Sequence, residues 1–590
     1  MEQLPEINQD ASLPLASLLT ATALLSACGG GGSSIGGNNA TAAGSPPPVT
    51  PPAVITKPAN EAEAARFLAQ AGFGGSAVAR QALISNGYEP WINEQQALAQ
   101  GQSRFDELNA IKLSDPASFA LQSEQRDNLM WKRIAAAPDM LRQRMTLALS
   151  EIFVVNISGV DLPTQAHALC GYMDMLEKHA FGNFRQLLED VTLSVPMGRM
   201  LGTFRNMKED SKTGRRPDEN YAREVMQLFT IGLVDLNMDG TAKLDANGKP
   251  IDSYNQDTVS NLARVFTGWS IILDWTSPDP DPEPMRQPMR LDENAHSLLE
   301  KKFLGATIAA NTDGRASLKI ALDTLFNHAN VAPFISRQFI QRFVCSNPSA
   351  AYVGRVAAVF ANNGLGVRGD LKAVVKSILI DSEARTAPDV SNLFAGKIVE
   401  PMVRVGSFFR GMKFTSPDGQ WRLVRARSFG QQPLGAPSVF NFFRPGYVPP
   451  NTVLATQNKQ SPELQIVSEQ TVLTQVNEWA SLLDNPASYT HRNYQDAAKA
   501  YKSDADSTGL QMDWTLELAM VSKPDTLIEH FNLLFSAGQL SANSKQIILS
   551  SVSKMPLTDT DPAKLRTKQL NLIKTVALMV LVAADTQLLK

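Results

Sequence analysis

Apolar residues recur every three or four positions in one segment after another, and strand-like alternation is scarce. QRDNLMWKRIAAA, DMLRQRMTLALSEIF, GNFRQLLEDVTL, QDTVSNLARVFTGW, APFISRQFIQRFV, YVGRVAAVFANNG and GDLKAVVKSILI each place their large apolar side chains on one face of a 3.6-residue period, as an amphipathic helix requires. So many stripes in sequence must cover one another. The pattern predicts a mainly α fold, a large multi-helical domain over 60–590 that divides into lobes 60–275 and 295–590. Asn60 stands where an N-cap belongs before EAEAARFLAQAG, and GFGG stops that helix before a second one from Ser76. The Pro- and Asp-rich SPDPDPEPMRQP predicts a hinge loop over 276–294, and the DG and NG dipeptides between Leu233 and Tyr254 predict a small β-hairpin excursion near 233–254.

With 590 residues, 43% of them hydrophobic, the chain has ample material for a core, and 37 Gly with 35 Pro is an ordinary globular level. That excludes a collagen-like or wholly disordered chain. A net charge of −3 leaves no broad cationic surface, so no nucleic-acid partner is expected.

The N-terminal region reads as an address. Residues 1–27 contain LPLASLLTATALLSA, an uncharged apolar run of signal-peptide length, too short to span a bilayer comfortably. It ends in Leu25-Ser26-Ala27-Cys28, which resembles the bacterial lipobox and implies lipidation of Cys28. Residues 28–59 then form a Gly/Ser/Pro linker suited to lift a domain off a membrane. The acidic Glu2, Glu6 and Asp10 run against the basic start such signals carry, and the competing reading is a low-complexity tail with an incidental Cys. The export reading places the chain in the cell envelope, at the membrane through its lipid anchor, and Gly29 after the Cys favours an outer membrane. Cys170 and Cys345, the two remaining cysteines, can pair in an oxidising compartment or stay as buried free thiols, the state expected here.

FLAQAGFGGS, PWINEQ, HAFGNFRQLLEDVTL, ENYAREVMQLFTIGL, LARVFTGW, KKFLG, RGDLKAVVKSILID and APSVFNFFRPGY, in that order, resemble the bacterial family called domain of unknown function 1800. The resemblance implies an exported helical protein. It also implies an exported partner from the family called domain of unknown function 1501, which resembles alkaline phosphatases and sulfatases. Many members carry Trp-His-Asn-His-Phe where this chain has Leu149-Ser150-Glu151-Ile152-Phe153, so both histidines of that pair are replaced.

Four sets of residues are candidates for chemistry. In the helix expected over 218–232, Asn220, Arg223, Glu224 and Gln227 form one polar stripe, with Glu219 in reach of Arg223. Such a seam between apolar faces is expected to be largely buried, as a paired network or as a site with Glu224 as acid/base and Arg223 as an anion clamp. Asp235, Asn237 and Asp239 followed by Gly240 open like a calcium loop, but position twelve is Ala246, so a looser oxygen site or simple turn chemistry remains. Calcium is the first metal to consider for an exported chain. Phe440, Phe442, Phe443, Arg444 and Tyr447 crowd between prolines, as a binding surface or as packing of an irregular loop. Arg422, Arg425 and Arg427 beside Trp421 make a small cationic patch. The Gly364, Gly366 and Gly369 spacing matches GxGxxG, but it follows a helix and reads as a helix end before an Asp370 cap. His167, His179, His296, His328, His491 and His530 are scattered, with no zinc spacing.

These readings favour an envelope accessory that binds or scaffolds an exported hydrolase-like partner. The alternative is a hydrolase-type enzyme built on the Arg223/Glu224 seam, with or without a divalent metal.

Overall fold

Helices form where the apolar spacing places them, and their starts are fixed by side chains that accept otherwise free backbone N–H groups. Asn60 accepts from Glu63 N to open helix Glu61–Ala71, and Ser76 accepts from Ala79 N to open Ala77–Asn86. Asn183, Asn255, Asp313, Ser349 and Asp370 do the same for later helices. The structure, a computed structural model, describes residues 55–114, 122–389, 391–423, 426–486 and 509–590. These belong to one compact unit, Ala53–Lys590. Residues 1–27 expected as a signal, Cys28, the expected linker up to residue 54, Arg425 and His491 lie outside the described residues.

The protein is mainly α. Two-stranded antiparallel pairs join Trp269–Ser270 to Arg290–Leu291, Lys301–Phe303 to Ala306–Ile308, and Lys397–Ile398 to Leu588–Leu589. The excursion near 233–254 is also antiparallel, but isolated bridges make it: Val234 with Asp252, Leu236 with Ala242 and Leu244 with Pro250. Asn330 holds its base from outside. Its Nδ2 donates to the carbonyls of Ile231 (2.9 Å) and Val234 (2.8 Å), and its Oδ1 accepts from Leu236 N (2.9 Å).

The apolar interior has two main clusters. The larger runs from Ala64 to Ala384, is joined by Leu434 from later in the chain, and includes Met285 and Met289. Because those two methionines are buried there and Trp269 pairs with Leu291, the Pro/Asp-rich stretch leaves and re-enters a single core. The interior therefore does not divide at 276–294. It divides where the chain passes from Ala384 to Met402, and Phe73, Trp131, Ile134 and Leu147 reach from the early helices into the second cluster. No helix among the described residues is long and apolar enough to cross a membrane.

Candidate functional site

The polar helix is shorter and more exposed than its pattern predicts. It spans Asn220–Gln227, after which the N–H groups of Ile231 and Gly232 both return to Met226 O (2.9 and 3.0 Å), with Gly232 at φ +74°. Tyr221, Ala222, Val225 and Met226 point into the core, so the opposite stripe faces outward. Asn220 is exposed and the Arg223 side chain is 41% exposed, which corrects the expectation of a buried seam. Glu219 collects Ser260 Oγ (2.6 Å), Gln256 Nε2 (2.7 Å) and, more loosely, Arg223 (3.5 Å). Those contacts, the Ser260 bond foremost, hold its carboxyl below the usual range. Glu224 is the exception, buried with no hydrogen bond to Oε2. Burial pushes its carboxyl up against the pull of Arg223, and burial likewise pushes the neighbouring Tyr254 hydroxyl up to about 12. Glu224 thus holds a proton more tightly than a surface carboxyl does.

The other predicted residues resolve separately. Asp239 Oδ1 accepts from Thr241 N (3.0 Å) and Oγ1 (2.6 Å), and Asn237 Nδ2 donates to Thr241 Oγ1 (3.0 Å), so both side chains serve the turn. Asp235 contributes backbone pairing through its N–H to Ile251 O (2.7 Å). Among the described residues no group of three or more His, Cys, Asp or Glu is arranged to hold a metal ion. Gly364, Gly366 and Gly369 have φ of +90°, +82° and +73°, and Asp370 caps the next helix. His179 Nε2 lies 2.6 Å from Asp190, and His530 Nε2 lies 2.9 Å from Glu517. Cys170 and Cys345 are free thiols, and burial pushes the second up to about 12. Arg422 pairs with Glu124 (2.7 Å), while Arg427 is exposed. In the aromatic segment Phe443 is buried, which assigns it to packing, and Phe440, Phe442 and Tyr447 are half-buried. The Arg444 guanidinium stacks over the Phe440 ring at 5.2 Å.

Sequence reasoning did not anticipate the densest constellation. Helix Met140–Ile152 carries Arg144 and Glu151, helix Val331–Phe343 carries Arg342, and Glu400 precedes helix Pro401–Gly411. With Lys397, Gln431 and Glu463 they form a group whose exposures all lie between 1% and 5%. Arg342 Nε is 3.4 Å from Glu151 Oε2, and Arg144 is 3.9 Å from Glu400. Lys397 reaches both Glu400 (3.4 Å) and Glu463 (2.9 Å). Gln431 Nε2 faces Glu151 Oε1 (3.4 Å) and Glu400 Oε2 (3.1 Å). Burial, then the charge of Glu400 and a hydrogen bond to it, holds the Glu151 carboxyl well above the usual range. Burial also works against the charged form of Glu400, but the bond from Glu151 and the charges of Lys397 and Arg144 outweigh it and bring its carboxyl down. The two carboxyls are thus driven apart, Glu151 toward its protonated form and Glu400 toward its ionised form.

Two spaces flank this cluster. Glu151, Ser150, Asn441 and Phe442 line a cavity of about 40 Å³. A water needs roughly 10–15 Å³ on this measure, so that space is on the scale of a few waters and not of a substrate. Glu463 lies instead in the lining of a groove of about 280 Å³ with Arg404 and Trp479.

Fold and cluster together define a class: a multi-helical protein with two apolar cores and a buried ionic junction where early and late helices meet. The chain matches the family described as "Protein of unknown function (DUF1800)" over residues 66–587, and it belongs to that family. No curated protein and no solved structure matches it.

Proposed function

We propose that this is an exported cell-envelope protein, lipid-anchored at Cys28 and lifted from the membrane by its Gly/Ser/Pro linker, whose helical body is the binding or scaffolding subunit of an exported hydrolase-like partner of the domain-of-unknown-function 1501 kind. The observation that carries the binding role is the pre-ordered aromatic patch at 440–447. Arg444 lies over Phe440, its N–H donates to Gln465 Oε1 (2.6 Å), and Tyr447 O accepts from Ser461 N (2.9 Å). Arginine and aromatic anchors already held in place lose little freedom on docking, which is what binding hot spots require. The test is co-purification of the full chain from its own membranes in mild detergent. A near-equal amount of a hydrolase-like protein that disappears with Phe440→Ala/Arg444→Ala supports the reading, and a chain that comes out alone, or a partner that persists with both substitutions, overturns it.

A second reading, a hydrolase-type enzyme at the Arg223/Glu224 helix, is favoured by the buried Glu224 oxygen without a partner and its raised proton affinity. It assigns Glu224 as proton donor or acceptor and the exposed Arg223 as the anion contact.

A further inference from the structure

The groove beside the ionic junction has apolar walls and one uncompensated charge. Val467, Val472 and Val476 line it together with Ile398 and Val582. Val472 is 50% exposed and Val476 37%, and Leu473 beside them is 68% exposed, so the wall continues onto an open apolar stripe of helix Glu469–Asp484. Arg404 lies within, 7% exposed. Its guanidinium donates to Gln475 Oε1 (3.0 Å), Gln587 Oε1 (2.6 Å) and Leu581 O (2.6 Å), all neutral acceptors. A guanidinium has more donors than these three bonds use.

Burial pulls Arg404 down to about 10, and no charge among the described residues acts on it. That distinguishes it from the other charge in the lining, because Glu463 has Lys397 at 2.9 Å. A second observation points the same way. The Trp479 ring lies under the guanidinium at 5.5 Å, and its Nε1–H is buried with no acceptor. A buried cation without an anion and a buried donor without an acceptor are both costly, and a carboxylate on Arg404 relieves the first.

We propose that this groove binds a single-chain carboxylate amphiphile, a fatty acid, with its chain along the valine wall and its carboxylate on Arg404. The size fits one chain: about 280 Å³ is at the lower edge of ligand pockets, which run to roughly 300–1,000 Å³. Of the two charges in the lining, Glu463 has its counter-charge in Lys397 at 2.9 Å, although its Oε2 takes no hydrogen bond among the described residues, whereas Arg404 has only neutral partners, and that difference favours an acid over an amine. The proposal goes beyond the accessory role and does not depend on it, because the aromatic patch contributes nothing to this lining.

Equilibrium dialysis of the full chain, carrying Cys28→Ser and kept free of detergent, against radiolabelled dodecanoate tests it. The expected result is saturable binding at one site, weaker by about tenfold or more for dodecanol and for dodecylammonium, as loss of a charge-assisted bond implies. Val472→Glu, on the exposed wall, should abolish binding without unfolding the protein. Arg404→Met should do so too, and because Arg404 also braces Leu581 and Gln587 its circular dichroism must first match the parent. Equal binding of dodecanol, preference for dodecylammonium, indifference to Val472→Glu, or binding only to anionic phosphatidylglycerol vesicles would each overturn the assignment.

Discussion

Gln431 Nε2 bridges the buried carboxyls of Glu151 and Glu400, 3.4 Å from Glu151 Oε1 and 3.1 Å from Glu400 Oε2. The two are driven apart in proton affinity, and the pH dependence follows. For Glu151 the folded value lies above the unfolded one of about 4.3, so the folded state binds the extra proton. Its contribution is fully present below about pH 4.3 and is lost as pH rises through the folded value. Glu400 has the opposite sign: its contribution is present above the unfolded value and lost as pH falls toward the lowered one. Glu151→Gln keeps the neutral shape and a donor, so its melting temperature relative to the parent should climb as pH rises above about 5 and level off once the pH has passed the raised folded value. A difference that stays flat across that range would show that Glu151 holds no extra proton.

Lys397 is the cation that ties two buried carboxylates, and it also donates to Arg342 O (2.9 Å). Lys397→Met should strand Glu463 without its counter-charge and leave Glu400 only the more distant Arg144, at a cost of about 3–5 kcal/mol by urea denaturation. Adding Glu463→Gln should recover part of that loss, because one stranded charge goes with it. Strictly additive losses would mean that Lys397 and Glu463 do not act as a pair.

Gly396 should be intolerant of any side chain. It sits at φ +75°, and a Cβ there would fall 2.1 Å from Leu589 O, a backbone atom that cannot swing away. Gly396→Ala should open the Lys397–Leu589 pairing and speed hydrogen exchange at Val399 N, which donates to Gln587 O (2.9 Å). Gly364→Ala, at φ +90° with nothing near its Cβ, should cost only the backbone term of roughly 1 kcal/mol and leave that exchange unchanged.

The helices were legible because their signal is local: Asn60, Ser76 and Asp370 cap where the apolar spacing begins. The two-core division was not, because Phe73 and Trp131 pack against residues some three hundred positions later, and sequence spacing carries no trace of that. The seam at Asn220–Gln227 misled for a related reason. A narrow polar stripe fits a surface helix as well as a buried one, and which side faces water is set by neighbours. A trace of the ionic junction did exist, since Arg144 and Glu151 sit seven residues apart in a helix that is buried almost all round. Their partners Arg342, Lys397 and Glu400 come from segments that meet only on folding.

The helix Asn220–Gln227 carries the last expectation, and two substitutions read it. Arg223 pairs with Glu219 at 3.5 Å from a 41% exposed position, so Arg223→Ala should cost under about 1 kcal/mol, as exposed pairs do. Glu224 is buried with one oxygen unbonded and its carboxyl pushed up, so folding pays to bury whatever charge it keeps. Its contribution runs with the sign of Glu151: present below about pH 4.3 and lost as pH rises through the folded value. Glu224→Gln, neutral at every pH, should therefore match the parent in acid and equal or exceed it at pH 7 by up to about 1 kcal/mol. Chemical denaturation at the two pH values decides. A loss of several kcal/mol at pH 7 would place Glu224 in a satisfied structural network, whereas preserved stability leaves its unbonded oxygen free for chemistry.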